Sequence, residues 1–202
     1  MTQLPIFETD RLILRDITER DVPEYERHFI DYEVIGTMSH MVPWPYPENG
    51  ILEYVRTAVI PNQCTDQWFW GICLKSAPVD LIGAIWLRRK GTPSNRGFWL
   101  GKRFWQQGIM TEAAKPVTDY AFDVLGFERL ILANAVGNHA SQRIKEKTGA
   151  VFVRTEPAIY VNPRYTEREV WELTKECWKA SWGNSVTTNK SVSAAPASTA
   201  FR

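Results

Sequence analysis

Gln106-Gln107-Gly108 stands immediately before a run with helical periodicity, and that junction is where chemistry first becomes legible in the chain. The opening turn of a helix carries N–H groups with no internal partner, and the helix dipole adds partial positive charge. Such an end holds a phosphate without a lysine. Gly108 lets the backbone come close to a ligand, and Thr111 offers a hydroxyl. Alone, the same residues also make an ordinary strand-to-helix turn. Further on, Asn138 ends an apolar run and caps another helix, with Ser141 in its first turn. Arg143 and Lys147 are spaced i, i+4, so they share a face and could meet a phosphate. A capped, solvated helix fits these residues equally well.

The elements that position these residues read as an alternation of strands and helices. Leu12 to Ile17 is rich in strand formers, and Thr18 offers an N-cap to a helix over 19–30. Three prolines within Met41 to Pro47 exclude both helix and ladder pairing there. A second helix covers about 48–59. Trp68 to Leu74 and Leu81 to Leu87 are apolar strands joined as a hairpin, and Gly97 to Leu100 is the fourth strand. Ala113, Val117, Tyr120, Ala121 and Val124 predict a helix with one buried face, stopped by Gly126. Leu130 to Val136 is the fifth strand, 140–148 a short helix, and Val151 to Arg154 and Glu169 to Leu173 the last two strands. The order predicts a mixed sheet with helices on both faces.

Composition removes several alternatives. The chain has 202 residues, enough for one domain with a substantial core, and a formal net charge of +1, which argues against nucleic acid or an anionic membrane as partner. Its three cysteines, Cys64, Cys73 and Cys177, form no metal-ligand pattern, so no metal is expected and a reducing cytoplasm fits. No secretory leader or membrane-length apolar run is visible. Residues 1–182 read as one domain, and 183–202, rich in Ser, Thr, Ala and Asn, as a disordered tail.

The segment from Gly97 to Ala114, followed by Asp119-Tyr-Ala-Phe122, Leu125-Gly126 and Asn138-x-x-Ser141-x5-Lys147-x-Gly149, resembles the GNAT (Gcn5-related N-acetyltransferase) superfamily. Within it the resemblance is to the RimJ/RimL type of ribosomal-protein N-terminal acetyltransferases. Thr9-Asp10-Arg11-Leu-x-Leu-Arg15 and Pro43-x-Pro45-Tyr46 agree, and the ordered set spans about 7–174.

The resemblance implies an α+β fold: a central, mixed, mostly antiparallel seven-stranded sheet splayed between strands four and five, with helices on both faces. It implies acetyl-CoA as cosubstrate in that gap and an acyltransferase acting on a primary amine, which could be a protein or peptide N-terminus, an amino acid or a small molecule. The pantetheine arm would pair with backbone at Trp99 and Leu100. The pyrophosphate would meet Gln106, Gln107, Gly108, Ile109, Met110 and Thr111, with Arg143 and Lys147 in reach. The Leu100 N–H would serve as oxyanion donor and Ser141 as acid toward the leaving thiolate, while Asn138 would bind pantetheine or a structural water. His40, Trp44 and Tyr46 lie on the Pro-rich loop that in this family approaches the acceptor. A monomer or a homodimer is compatible.

The sequence departs from the family in four places, the first being Trp105, which stands where the phosphate loop begins with a polar residue. Met110 replaces a small residue and is expected to narrow the approach to the phosphate loop. Pro116 falls inside a helix and is expected to kink it. Asn95-Arg96 stands where many relatives carry the carboxylate base. His139 has a suitable ordinary pKa but reads as a surface residue, and a water chain is an equal candidate for the base. These departures leave a second reading open, an acyl-CoA-binding sensor without catalysis. A third is a peptide-binding module built on the Trp-rich loop.

Overall fold

The computed structural model describes residues 3–90 and 94–182. The tail expected over 183–202 lies outside the described residues. In chain order the elements are β1 Phe7–Glu8, β2 Leu12–Asp16, α1 Val22–Phe29, α2 Tyr32–Ile35, α3 Gly50–Tyr54, β3 Gln67–Leu74, β4 Ala77–Arg88, β5 Arg96–Leu100, α4 Ile109–Asp123, β6 Arg129–Ala135, α5 His139–Lys147, β7 Val151–Pro157, β8 Glu167–Thr174 and α6 Lys175–Trp182. The fourth and fifth strands read from the sequence are β5 and β6.

The strands form two sheets, a five-stranded one in the order β1-β2-β3-β4-β5 and a three-stranded one in the order β6-β8-β7. Every ladder between these strands is antiparallel. Among the described residues eight strands form two antiparallel sheets where seven strands in one mixed sheet were expected, and the splay expected between strands four and five is the break between β5 and β6. The extra strand is the two-residue β1, and the sheet is broken because no ladder joins β5 to β6 among the described residues.

β3 reads as a continuous apolar run because both its faces are covered. On one face Trp70, Ile72, Ile85 and Leu100 pack with α4 through Met110, Ala113, Ala114 and Val117, and with Trp178 of α6. On the other, Phe69, Leu81, Ala84 and Trp99 pack with Tyr25 and Phe29 of α1 and Ile51 of α3. Five of the nine tryptophans are buried, which assigns most of that unusual content to packing.

Four local differences from the sequence reading have physical causes. The helix expected over 48–59 is α-helical only to Tyr54 and continues as a π-turn over Val55–Val59. α4 runs unbroken across Pro116. Val124 falls beyond the last turn of α4 and is exposed rather than on its buried face. α6 is an added helix, tied down by Trp178, whose Nε1 donates to Asp119 Oδ1 at 2.7 Å.

Candidate active site

The gap between β5 and β6 follows from register. Gly101 N donates to Ile82 O, and Leu100 lies opposite Gly83. Antiparallel pairs alternate between bonded and non-bonded residues. Gly97, Trp99 and Gly101 therefore turn their backbone groups to β4, while Arg96, Phe98 and Leu100 turn theirs away from it. On the other side Val136 N donates to Glu167 O, so Ile131, Ala133 and Ala135 turn away from β8.

The two free edges meet at one end only. Asn95 N donates to Ile131 O at 2.7 Å, and Asn95 Oδ1 accepts from Ile131 N at 2.8 Å. Beyond that clip the strands carry no shared ladder. Ser94 Oγ takes the Arg96 carbonyl, Trp105 Nε1 takes the Leu100 carbonyl at 2.7 Å, and Asn138 N takes the Ala135 carbonyl at 2.9 Å. The N–H groups of Phe98, Leu100, Ala133 and Ala135 are left facing a wedge with no ladder partner among the described residues. Buried backbone donors in a protein are nearly always paired, so such a row marks a place for a ligand.

α4 begins near the mouth of this loop region. Gly108 is its N-cap, in the left-handed conformation at φ 74, and Gln106 also has a positive φ of 62. The first-turn amides of Ile109 to Thr111 have no partner within the helix. A clasp holds the turn in place: Glu112 Oε1 accepts from Thr9 Oγ1 at 2.6 Å and Arg11 N at 2.9 Å, and Glu112 Oε2 accepts from Arg11 Nε at 2.7 Å. Arg11 Nη1 reaches Gln107 O at 3.0 Å. Burial pushes the Glu112 carboxyl up, but the bonds from Thr9 and Arg11 together outweigh it and hold the group below its ordinary range. The Arg11 guanidinium is thus positive charge held beside the helix N-terminus.

α5 follows β6 and packs against it. Asn138 Oδ1 caps it by accepting from Ser141 N at 3.2 Å. Ser141 is buried, and its Oγ accepts from Lys145 Nζ at 2.9 Å. Lys145 is itself buried, with Nζ 5.9 Å from the Phe98 ring centroid. Arg96 is buried below it, donating from Nη1 to Thr118 Oγ1 at 2.7 Å, and burial lowers its pKa to about 10.

The opposite face of β5 is aromatic. Trp99 Nε1 donates to Tyr25 Oη at 3.2 Å, and its ring lies 5.1 Å from Phe29, which in turn lies 5.9 Å from Tyr46. Burial raises the Tyr46 phenol to about 12. Trp44 is exposed and packs on Tyr32 at 5.2 Å. His40 is exposed, with its N and Nδ1 both on Ile159 O. Bonds from Asn162 N to Gly36 O and from Val161 N to Met38 O tie this loop to the β7–β8 connection. His28 of α1 packs where a side chain on Gly101 would be. Its Nε2 is 3.4 Å from Glu24 Oε2, at ion-pair range but without hydrogen-bond alignment.

The structure thus places Leu100 at the end of β5, the 106–111 turn at the start of α4, and Asn138 and Ser141 at the start of α5. It changes two readings. Trp99 faces β4 with its backbone and the core with its ring, so Phe98 and Leu100, not Trp99, present backbone to the wedge. Met110 does not narrow the loop, because its side chain is buried with Ala113, Ala114 and Val117. Of the three acceptor-side residues, Tyr46 joins the aromatic chain leading to Trp99 through Phe29, Trp44 packs on Tyr32, and His40 Nδ1 lies 3.2 Å from Ile159 O. Arg143 and Lys147 are exposed on α5, and His139 is exposed with Nδ1 3.3 Å from Gln142 Oε1. Sequence reasoning missed Lys145, Arg96 and His28. Lys145 carried a signal, since it lies four residues beyond Ser141 on one helix face. Among the described residues no group of three or more His, Cys, Asp or Glu side chains could hold a metal. No helix among them is long and apolar enough to cross a membrane.

An α+β fold broken at β5/β6, with donors along the break and a helix N-terminus at its mouth, defines the acetyltransferase class. The model of the acetyltransferase (GNAT) domain matches residues 11–151. The chain is 30% identical over 148 residues to the uncharacterised N-acetyltransferase YoaA of Bacillus subtilis (strain 168), covering 72% of this chain and 82% of that one. It is 31% identical over 84 residues to YdaF of the same organism, named as a candidate ribosomal N-acetyltransferase. That match covers 41% of this chain and spans under half of the relative, 46% of its length. The solved ribosomal-protein-S5-alanine acetyltransferase from Vibrio fischeri superposes with a TM-score of 0.70 at 16% identity, over 87% of this chain and 99% of that one. The chain belongs to the GNAT acetyltransferase family.

Proposed function

We propose that residues 1–182 form one acetyltransferase domain that moves acetyl from acetyl-CoA to a primary amine by direct attack, and that the amine is a protein or peptide N-terminus. The row of unpaired N–H groups along the β5/β6 wedge carries this reading. A pantetheine arm has amides that pair with Phe98 and Leu100 as a strand would. A pyrophosphate fits the amides of Ile109 to Thr111 beside Arg11. The Leu100 N–H points into the wedge and polarises the thioester carbonyl as charge develops on its oxygen. Ser141, in the first turn of the helix that follows β6, donates toward the departing sulfur. Asn138 holds Ser141 in place through the helix cap.

The acceptor enters from the aromatic face, between α1, the 37–49 loop and the β7–β8 connection. Tyr46 and the exposed Trp44 and His40 flank that entry. The ribosomal acetyltransferase names among the relatives favour a protein terminus over a small amine. The test is thiol release from acetyl-CoA with a panel of peptides of varied N-terminal residue, free amino acids and small amines. The account expects release that depends on a peptide with a free α-amine and stops when that amine is blocked. Acetyl-CoA binding with no release on any acceptor would instead favour the sensor.

A further inference from the structure

Lys145 is a buried lysine with no carboxylate in ion-pair range among the described residues. It is 2% exposed, and none of its contacts is an ion pair. Among the described residues its Nζ donates to Ser141 Oγ at 2.9 Å and Ser141 O at 3.4 Å. A buried ammonium with two neutral acceptors is costly, and sites that bear such a cost without a packing gain tend to be chemical ones. Its position agrees. Lys145 spans from α5 over the ring of Phe98, on the strand whose backbone faces the wedge. The charged groups that face it are Arg96 from β5 and Glu169 from β8, with the Ser141 hydroxyl on its own helix. Burial is the largest influence and lowers its pKa well below the ordinary lysine value. Arg96 adds to that and Glu169 opposes it.

We propose that Lys145 is the positioning and proton-supplying partner of Ser141, so that the pair, not the serine alone, protonates the leaving thiolate. The proposal rests on the acetyl-transfer reading. The amine nitrogen bonds to the thioester carbonyl carbon, and the C–S bond breaks as its electron pair goes to sulfur. The thiolate takes the Ser141 hydroxyl proton, and Ser141 is refilled by a proton from the Lys145 ammonium. The attacking nitrogen releases one proton to water, and Lys145 regains one from water after the thiol departs, so protons balance. A serine hydroxyl alone is too weak an acid for this. Burial disfavours the charged form and so makes the Lys145 ammonium a readier proton donor than an exposed lysine.

Two measurements test it. In the free wild-type protein, the Lys145 ε-methylene is followed by NMR across pH. Titration below the ordinary lysine range, shifted by Ser141→Ala, is expected. Titration with the exposed lysines overturns the proposal whatever the activity. In the acetyl-transfer assay, Lys145→Met is expected to lower kcat about 100-fold with the KM for acetyl-CoA unchanged. It also removes the loss of activity that accompanies deprotonation of Lys145 as pH rises. Lys145→Met should at the same time melt no lower than wild type, since an apolar side chain relieves the burial cost. Unchanged kcat and an unchanged alkaline limb in a folded variant overturn it. Failure of the wild type to transfer acetyl to any acceptor would count against the acetyl-transfer reading itself, and the titration would still decide the state of Lys145.

Discussion

Replacing Gly108 by alanine separates backbone strain from anion binding. Gly108 sits at φ 74, where a Cβ costs about 1–2 kcal/mol. The added Cβ would have Arg11 Nη2 as its nearest neighbour at 3.6 Å, an ordinary contact, so no clash adds to the strain. For a domain of this size that cost lowers Tm by roughly 2–8 °C. Gly126 is the matched control: it has φ 68, and a Cβ there meets nothing within 4 Å. Gly126→Ala should show the same loss of stability. Only Gly108→Ala places a methyl group where a pyrophosphate approaches the first-turn amides of α4. Losing one charge-assisted bond there costs about 1.5–3 kcal/mol, which is roughly 10- to 150-fold in Kd. Thermal melts and calorimetric titration with acetyl-CoA read both quantities. If both variants lose stability alike and both keep wild-type affinity, the 106–111 turn is not the phosphate site.

Other consequences follow from the groups around the wedge. Glu112→Gln weakens the clasp to Arg11 and Thr9. Because Arg11 is half exposed, the screened loss should be about 1 kcal/mol in urea unfolding. A several-fold rise in the acetyl-CoA KM should accompany it, and an unchanged KM would mean that the clasp does not position the turn. His28 supplies a pH signature. Burial first, then Arg103, lowers its pKa, while Glu24 and Asp80 oppose this. Its neutral form is therefore favoured in the folded protein. The stability it contributes is present above the ordinary histidine value of about 6.5 and is lost as pH falls through the folded value. Urea unfolding between pH 7.5 and 5 should show a smaller loss in His28→Gln than in wild type; equal losses would contradict the assignment.

The parts of the site legible in the sequence are those set by local rules. Gly108 before a helix and Asn138 as a cap are statements about one turn of chain, and both hold as geometry. Met110 was also within reach: it shares the i, i+3, i+4, i+7 row with Ala113, Ala114 and Val117 and so points into the core. The wedge itself was not legible. Which backbone groups of β5 face it depends on a register with β4 that starts from Gly83 and Leu100, and sliding it by one residue would exchange Trp99 for Leu100. The closing clip depends on Asn95 reaching Ile131, a contact with no sequence signature. The burial of Arg96 and Lys145 was not legible for a related reason. Charged residues are expected outside, and only the three-dimensional packing of α4 and α5 on β5 buries them.

The account stands most directly on amide hydrogen exchange of the protein with and without saturating acetyl-CoA. The N–H groups of Phe98, Leu100, Ala133 and Ala135, together with those of Ile109 to Thr111, should become protected on binding. Trp99, already bonded across to β4, should change little. Saturable binding that leaves those amides as exposed as before would contradict a coenzyme site between β5 and β6.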